Sequence, residues 1–516
     1  MIQLKRFCVL SLIILLTLNS LAAEDNMIKP VTPKASTEAQ ALLDLFYHIS
    51  GKYILTGQHN FPNVKDRNSQ FAAKYIGKTP VVWSTDMGFA KPGDTDSYLA
   101  RPDIVKEAIR QHQLGSLVTI CWHAVPPTAD EPVTFRPDFS KPAKPESLAS
   151  VQGQLLDQQF QDVLTPGTEL YKRWEAQVDT IAFYLKKLRD AKVPVLWRPY
   201  HEMNGDWFWW GGRTGKYSTK ALYRQLYNRY VNHHELTNLI WMWSVDRAHK
   251  EEMHYAKYYP GNDYLDIIAL DVYGRDFSRV YYDSLAALSK GKPMTLGEVG
   301  NPPTPDILDA QPGWSYYVVW ANMVRNTSKK EYEVLENDPR VLFKEDQAYI
   351  NAVAPFRKAC GLKPIEEALA EKGTADFSGF WIFDEEKSKL DNWGAGFLPS
   401  KLWIKQDENR LIVEKTFVME YADDRIRVDT LSLDGAVNQS IADYRNALQR
   451  MTATWSENKD TLFIETKVAF DRGRQMSESI TQEKWFLQDN GNMLANKYYS
   501  TSRWAERNIH IVYRRW

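Results

Sequence analysis

The chain alternates two hydrophobic patterns between about residue 40 and residue 355. Short apolar runs rich in β-branched residues, typical of buried strands, are separated by longer stretches with helical periodicity, such as Leu170–Leu188 and Thr219–Leu236. Eight strands are predicted, at Tyr53–Gly57, Val81–Asp86, Ser116–His123, Val195–Glu202, Leu239–Val245, Ile267–Tyr273, Met294–Glu298 and Tyr316–Trp320. This order predicts an α/β domain, a closed (β/α)8 TIM barrel. An open doubly wound sheet is the alternative, but no glycine-rich phosphate loop follows the first strand.

The pattern changes after about residue 370, where short alternating runs and turn signals such as Asp434-Gly435 replace the strand–helix repeat. Nine strands are predicted there, at Phe380–Phe383, Lys401–Lys405, Arg410–Phe417, Arg425–Leu433, Met451–Trp455, Thr461–Ala469, Glu483–Leu487, Met493–Tyr499 and Ile509–Tyr513. We therefore expect a barrel domain at residues 24–362 and a smaller all-β domain, a barrel or a sandwich, at residues 375–516. The segment Ile365–Thr374 is predicted to be a helical connector.

The first 23 residues have the pattern of a secretory signal peptide. A basic start at Lys5 and Arg6 precedes the apolar run Phe7–Leu18, and Ala22 and Ala23 offer a cleavage site. The run has 12 residues, fewer than the ~20 needed to cross a bilayer, which disfavours the alternative of a membrane anchor. We expect an exported protein, secreted, periplasmic or at the cell surface, with no membrane span in the mature chain.

The charge and aromatic content of the chain narrow the classes of molecule that it could bind. The chain contains 64 Lys+Arg and 65 Asp+Glu, a formal net charge of −1, so it lacks the basic surplus of a nucleic-acid binder. Aromatic residues make up 13% of the chain, with 18 Trp and 27 Tyr, and such rings stack on sugars as well as fill cores. Cys121 and Cys360 are interpreted as free structural residues. No ligand cluster predicts a metal or a cofactor.

Two glutamates follow predicted barrel strands, where the active-site residues of such barrels lie. Glu202 ends the fourth strand and Glu298 the seventh, and these strand ends face each other across the barrel mouth. A facing pair of carboxyl groups, one protonated and one ionised, is what glycoside hydrolysis requires. Either glutamate alone could be a solvated loop residue, but an acid at the exit of an apolar strand is costly to bury without a role. The pair predicts a glycosidase.

Further aromatic and acidic residues surround the two glutamates in the sequence. Four aromatic residues, Trp207–Trp210, follow the fourth strand in a loop that must run over the surface, so one or two of them are placed to stack on a sugar. Asp271 and Tyr273 share one face of the sixth strand and are interpreted as functional. Trp241 and Trp243 share a face of the fifth strand and are interpreted as barrel-filling residues.

The run Trp197–Gly211 (WRPYHEMNGDWFWWG) closely resembles the acid/base motif of glycoside hydrolase family 26, the family of endo-β-1,4-mannanases. Four further segments agree in order, at Leu55–Asn60, Trp122-His123, Asp271–Gly274 and Gly297-Glu298. The resemblance covers roughly residues 40–355. It implies a retaining enzyme of the (β/α)8 class whose acid/base and nucleophile follow strands four and seven.

The resemblance also implies roles for single residues. Glu202 is implied as the general acid/base and Glu298 as the nucleophile, and Arg198 is interpreted as a buried partner of these carboxylates. The implied substrate-binding and orienting residues are His123, His201, Trp207, Asp271, Tyr273 and Trp320.

Among those six, His201 resembles the histidine that orients the catalytic pair, and Tyr273 the tyrosine that hydrogen-bonds the nucleophile. Trp207 resembles the ring that meets the sugar on the leaving-group side, and the other three resemble contacts on the glycone side. One departure is Ala321, which follows Trp320 where some mannanases of the family have Arg. The missing Arg affects the strength and selectivity expected of the distal glycone subsite.

The implied reaction is retaining hydrolysis of β-1,4-mannosidic bonds in mannan, galactomannan or glucomannan. Protonated Glu202 donates to the glycosidic oxygen while Glu298 attacks the anomeric carbon, and water then hydrolyses the glycosyl-enzyme. This predicts a raised pKa for Glu202 and carboxyl groups about 5–5.5 Å apart. The expected partner is a β-mannan-type polysaccharide or oligosaccharide, bound by a monomer without cofactor, metal or nucleic acid.

Other functions stay open. The family contains enzymes that act on mixed-linkage glucan and β-1,3-xylan, so a retaining hydrolase of another β-glycan is one alternative. A non-catalytic glycan-binding protein is another, although binding alone does not need a carboxylate pair. An unrelated esterase is disfavoured because the sequence lacks a Gly-x-Ser-x-Gly elbow.

The all-β domain resembles lipocalin-like barrels appended to secreted bacterial enzymes, on two short segments only. These are Gly379–Trp381 and Ile404–Gln406. The domain is interpreted as a structural cap on the barrel or as a glycan-binding accessory domain.

Overall fold

The computed structural model describes residues 28–62, 65–91, 100–138, 140, 145–370, 374–392, 394–419, 423–442, 447–457, 459–471, 476–488, 491–502 and 506–516. The signal peptide predicted at residues 1–23 lies outside the described residues. The chain forms two compact units, Met1–Ala368 and Leu369–Trp516. Among the described helices, none combines the length and the apolar character needed to cross a membrane.

The first unit is a closed barrel of eight parallel strands, β2 to β9, as predicted, but its first strand is Gly57–Asn60, and the predicted Tyr53–Gly57 mostly covers the preceding strand β1. Consecutive strands pair, and β9 also pairs with β2, so the sheet has no open edge and the doubly wound alternative is wrong. Strand β1 precedes β2 and pairs with β9 and β10. The bounds are β1 Ile54–Leu55, β2 Gly57–Asn60, β3 Val82–Asp86, β4 Leu117–Trp122, β5 Val195–Pro199, β6 Leu239–Asp246, β7 Ile267–Val272, β8 Met294–Val299, β9 Trp314–Val319 and β10 Val341–Leu342.

Helices connect the strands, as parallel pairing requires. Their bounds are α1 Thr37–Ile49, α2 Arg67–Ile76, α3 Arg101–Gln113, α4 Asp157–Val163, α5 Glu169–Asp190, α6 Thr219–Asn228, α7 Arg279–Ser289, α8 Pro305–Ala310, α9 Lys329–Glu336, α10 Gln347–Ala359 and α11 Ile365–Ala370. A π-helical turn, Arg229–His233, follows α6, so the two predicted helices are α5 and α6 with this extension. Short 3-10 turns lie at Pro145–Ser147, Glu251–Met253, Tyr255–Lys257, Asn262–Tyr264 and Met323–Asn326.

The barrel strands are buried along their whole length, which explains why they read as continuous apolar runs. All eight residues of β6 are buried, including Trp241 and Trp243. Trp241 was predicted to fill the barrel, but its ring packs against Tyr223, Tyr227 and Tyr230 of α6 and the following π-helical turn. Helix α5 begins after Thr168, whose hydroxyl accepts a hydrogen bond from the Tyr171 N–H, and packs one apolar face on the barrel. Cys121 and Cys360 are both buried and free, as expected.

The second unit is one antiparallel sheet of ten strands. Their bounds are β11 Gly379–Phe383, β12 Lys401–Gln406, β13 Arg410–Phe417, β14 Arg425–Ser432, β15 Asn438–Ile441, β16 Leu448–Trp455, β17 Thr461–Asp471, β18 Met476–Gln488, β19 Met493–Thr501 and β20 Glu506–Arg515. The edge strand β14 lies against β15 and β16 of the other edge, so the sheet is close to a closed barrel rather than a sandwich. All nine predicted strands are present. The prediction missed β15, a short strand of mostly polar, exposed residues.

Candidate active site

Glu202 and Glu298 lie beyond β5 and near the end of β8, at the carboxyl ends of the barrel strands. One carboxylate oxygen from each of Glu202, Asp271 and Glu298 lies within 4.8 Å of the others. This spacing agrees with the predicted carboxyl separation of about 5–5.5 Å for retaining glycosidases and lies below the roughly 6.5–9.5 Å of inverting ones. Glu202 is 9% exposed and Glu298 4%, so both groups are almost removed from water.

The turn after β5 holds Glu202 in an uncommon backbone conformation. Tyr200 and Glu202 have φ angles of 49° and 50°, in the left-handed region, which costs a non-glycine residue about 1–2 kcal/mol. Hydrogen bonds hold the turn: the Trp174 Nε1–H donates to the Tyr200 hydroxyl over 3.0 Å, and the Trp210 Nε1–H donates to the His201 carbonyl over 2.9 Å. Backbone strain of this kind is concentrated at functional sites.

The surroundings of the Glu202 carboxyl group favour its protonated form. Burial raises its pKa well above the ordinary value of 4.5, and the nearby charges of Asp271, Glu298 and Asp246 raise it further. The Trp207 Nε1–H, which donates to Glu202 Oε2 over 2.7 Å, opposes this shift without cancelling it. The direction of this shift agrees with the raised pKa predicted for Glu202. A raised pKa favours the protonated form that a general acid requires.

Glu298 has the opposite environment, because hydrogen-bond donors bind both of its oxygens. The Arg198 Nη2–H donates to Oε1, and the Tyr273 hydroxyl donates to Oε2 over 2.6 Å. A cationic donor and a phenol hydroxyl thus hold both oxygens of this carboxyl group in place. The contact between Tyr273 and Glu298 is the one that the sequence predicted.

Arg198 links Glu298 to a second buried carboxylate. Its Nη1–H donates to Asp271 Oδ2 over 2.8 Å and to the Ser244 hydroxyl over 3.2 Å. Although burial of the guanidinium lowers the pKa of Arg198, the charges of Asp271 and Glu298 raise it overall, so the group stays cationic. Arg198 is therefore the buried partner that the sequence predicted.

Asp271 was predicted to contact the glycone, but its side chain is completely buried. Its oxygens accept hydrogen bonds from Arg198 and Ser244. The structure thus places Asp271 beneath the pair as a support for Arg198, and a direct contact with substrate stays a prediction. Gly297 permits this arrangement, because a Cβ there would lie 2.7 Å from Asp271 Oδ1. The sequence reasoning gave Gly297 no role of its own, although it belongs to the segment Gly297-Glu298 that carried part of the resemblance.

Two buried histidines lie beside the carboxylates. His201 Nε2 is 3.1 Å from His123 Nε2 and 3.9 Å from Glu298 Oε1. His123 Nδ1 lies 2.8 Å from Asp86 Oδ2. Burial lowers the pKa of His201 well below its ordinary value, and the charge of Arg198 contributes, so this ring is neutral. The sequence reasoning missed Asp86, although it is the last residue of β3 and so lies at the functional end of the barrel.

The aromatic residues of the site divide into core and border. Phe208, Trp209 and Trp210 are buried, so of the four consecutive aromatic residues only Trp207 is partly exposed. Trp320 is also partly exposed, and its ring stacks on His59 with centroids 3.8 Å apart and planes 16° apart. His59 was not predicted, although it belongs to the segment Leu55–Asn60 that carried part of the resemblance.

Among the described residues, two groups have a spacing that a cation could bridge: Glu202, Asp271 and Glu298, and Asp86, Cys121 and His123. Internal hydrogen bonds account for both arrangements. Arg198 supplies positive charge to the first group, and His123 and Cys121 lie within hydrogen-bond distance of Asp86 in the second. The first group brings two glutamate carboxyl groups within 4.8 Å of each other, one with a raised pKa and one bound by Arg198 and Tyr273, an arrangement suited to a double displacement.

Comparison with known proteins agrees with this chemistry. Residues 31–346 match the model of glycosyl hydrolase family 26. A mannan endo-1,4-β-mannosidase from Thermothelomyces thermophilus is 34% identical over 319 residues, which cover 59% of this chain and 59% of that protein. The chain spans about half the length of the curated relatives it matches, 59%, 48% and 45% for the first three.

Solved structures share the barrel. The structure of GH26A from Muricauda sp. MAR_2010_75 is 41% identical, with a TM-score of 0.55, and the match covers 60% of this chain and 98% of that one. The GH26-CBM35 β-(1,4)-mannanase of Podospora anserina is 28% identical, with a TM-score of 0.52, and the match covers 64% and 69%. The family match spans more than half of the residues of this chain, so the chain belongs to glycosyl hydrolase family 26.

Proposed function

We propose that this protein is a retaining endo-β-1,4-mannanase that hydrolyses mannan, galactomannan or glucomannan. The pair Glu202 and Glu298 carries the proposal, since their oxygens lie within 4.8 Å and one group has a raised pKa while Arg198 and Tyr273 bind the other. Relatives named as mannan endo-1,4-β-mannosidases, from Thermothelomyces thermophilus and from Piromyces sp, support mannan as the substrate. A structure 25% identical, with a TM-score of 0.51, is a β-mannanase complexed with a gluco-manno-oligosaccharide.

In the proposed reaction, the Glu202 carboxyl gives its proton to the glycosidic oxygen as that bond breaks, and a Glu298 oxygen forms a bond to the anomeric carbon. Water then attacks the same carbon, gives a proton to Glu202 and releases Glu298. Trp207 borders the leaving-group side, where its hydrogen bond to Glu202 holds the acid in place. Trp320, with His123 behind it, borders the glycone side.

Hydrolysis of a panel of glycans tests the substrate. Mannan, galactomannan and glucomannan should be cleaved, and xylan and β-glucan should not. Glu298→Gln should abolish cleavage, whereas Glu107→Gln, which alters a buried carboxyl group paired with Arg110 outside the site, should leave it intact. Cleavage of β-glucan or xylan alone would favour another β-glycan. Binding of mannan without cleavage would favour a non-catalytic glycan-binding protein.

The stereochemistry of the first product tests the mechanism independently of the substrate. A retaining enzyme releases the β-anomer first, which proton NMR detects before mutarotation. Azide should restore turnover to Glu298→Ala and yield the α-glycosyl azide. It takes the place of the missing carboxylate and attacks the anomeric carbon from the face of the sugar opposite the leaving group. An initial α-anomer from the wild-type protein would contradict the retaining mechanism.

We further propose that residues 1–23 are removed on export and that the mature protein is a monomer with the two domains predicted from the sequence. N-terminal sequencing of protein recovered outside the cytoplasm, and light scattering of the purified protein, test these two points. An intact N-terminus, or the mass of a dimer, would contradict them.

A further inference from the structure

Asp86 is a buried carboxylate that the proposed mechanism does not use. Its Oδ2 accepts hydrogen bonds from the His123 backbone N–H over 3.0 Å and the Cys121 thiol over 3.4 Å, and lies 2.8 Å from His123 Nδ1. Its Oδ1 accepts from the Gly88 N–H over 2.6 Å. Although burial raises the pKa of Asp86, His123 and these N–H groups lower it overall. An ionised carboxylate only accepts, so the proton of His123 lies on Nδ1.

This proton position determines the one on the neighbouring ring. His123 Nε2 and His201 Nε2 are 3.1 Å apart, so one of them must donate. In the described part of the chain nothing bonds His201 Nδ1. If His123 donated, His201 Nδ1 would be a buried N–H without an acceptor, a rarer and costlier state than an unshared lone pair. His201 therefore carries its proton on Nε2 and donates it to His123.

The environment of His123 offers no competing partner. Five aromatic rings have centroids 5.5–6.5 Å from its own, namely Phe89, Phe135, Phe208, Trp210 and Trp320. Among the described residues, Asp86 and His201 are the groups that bond the two ring nitrogens. The imidazole is thus held between one carboxylate and one imidazole inside an aromatic shell.

The hydrogen-bonded row ends at His201, which lies beside the proposed nucleophile. His201 Nε2 lies 3.9 Å from Glu298 Oε1, so this edge of the ring presents an N–H dipole to the carboxylate rather than a repelling lone pair. We infer that Asp86 is a positioning residue: through His123 it selects the His201 tautomer that stabilises Glu298. This inference rests on the proposed function, because it takes Glu298 to be the nucleophile.

The substitution Asp86→Asn tests the inference, because it keeps the size of the side chain. The asparagine has one carbonyl oxygen, which cannot accept hydrogen bonds from both the Gly88 N–H and His123 Nδ1. When this oxygen accepts from Gly88, the amide N–H₂ donates to His123 Nδ1, so His123 must take the opposite tautomer. We expect kcat on mannan to fall about 100-fold while KM changes less than about threefold, since Asp86 is buried beneath the site.

Asp266→Asn is the matched control. Asp266 is equally buried and accepts backbone N–H groups of Val31 and Trp241, over 2.7 and 2.9 Å, but belongs to no part of the site. It should lower stability and leave kcat unchanged. Equal kcat values for Asp86→Asn and Asp266→Asn would overturn the inference.

Nitrogen-15 NMR of labelled histidines gives a second readout that does not depend on activity. In the wild-type protein, His123 should be protonated at Nδ1 and bare at Nε2, and His201 protonated at Nε2 and bare at Nδ1. Asp86→Asn should shift both patterns. If the variant fails to fold, the wild-type spectrum is sufficient to test the predicted tautomers. A proton on His123 Nε2 in the wild-type protein would overturn the inference. Failure to cleave mannan would reject the proposed function and leave this tautomer measurement standing.

Discussion

The indole of Trp207 donates its Nε1–H to Glu202 Oε2 over 2.7 Å, and the same ring packs over Gly205. A Cβ on Gly205 would lie 2.1 Å from Cη2 of the indole, far too close for two carbon atoms that are not bonded to each other. The partly exposed ring at the border of the site and the carboxyl group of the proposed acid are therefore positioned by one loop, and that loop needs glycine at one place.

Gly205→Ala should displace Trp207 and break its hydrogen bond to Glu202. We expect kcat/KM on mannan to fall about 100-fold, because small displacements of a reacting group have effects of this size. Steady-state kinetics measures it. Gly396→Ala, where a Cβ meets nothing within 4 Å, is the control and should be silent. Unchanged kinetics in Gly205→Ala would show that the position of Trp207 does not matter.

Tyr273→Phe should lower kcat without unfolding the protein. The substitution removes the hydroxyl that donates to Glu298 Oε2 over 2.6 Å, and a hydrogen bond to a charged group contributes about 1.5–3 kcal/mol, or roughly 10- to 100-fold in rate. Tyr282→Phe removes a hydroxyl that accepts from the Gly313 N–H outside the site and serves as the control. If both variants keep the wild-type kcat, Tyr273 does not act on the nucleophile.

Asp271→Asn separates a supporting role from a contact with substrate. It breaks the buried pair with Arg198, which should lower the free energy of unfolding by about 3 kcal/mol and kcat more than KM. Asp179→Asn alters the more exposed pair with Arg229 and should change stability by less than about 1 kcal/mol. Urea denaturation and kinetics measure both. A large rise in KM with unchanged stability would instead support the predicted glycone contact.

Glu202→Gln should become more stable relative to the wild-type protein as the pH rises. The folded state raises the pKa of Glu202 above 4.5, so it binds the proton more tightly than the unfolded state does. Wild-type stability from this group is full below about pH 4.5 and is lost as the pH rises toward the folded pKa. Glutamine does not ionise, so it avoids this loss. Thermal denaturation across this pH range measures the difference.

Glu169→Gln gives the opposite sign as a control. Lys172 lowers the pKa of the exposed Glu169 carboxyl, so the wild-type protein gains slightly from this group above its pKa. A difference between Glu202→Gln and the wild-type protein that does not grow with pH would contradict the raised pKa.

The barrel could be predicted because its strands are buried on both faces and therefore appear as separate apolar runs. The positions of Glu202 and Glu298 followed, since parallel strands bring their carboxyl ends to one rim. The hydrophobic pattern alone could not predict which of the four consecutive aromatic residues borders the site, and only the family resemblance pointed to Trp207. Trp207 and Trp209 are alike in the sequence, yet only Trp209 is fully buried, where its Nε1–H donates to the Ala124 carbonyl beyond the neighbouring strand β4.

The sequence by itself determined the two folds, the rim on which the site lies and the two carboxyl groups that face each other there. Only the tertiary structure showed that burial raises the pKa of Glu202, that Asp271 supports Arg198 and that Asp86 contacts His123. Arg198 meets Asp271 and Glu298 from 73 and 100 residues away, and Asp86 meets His123 from 37 residues away. Proton positions depend on burial and on such distant partners, and both arise only when the barrel closes.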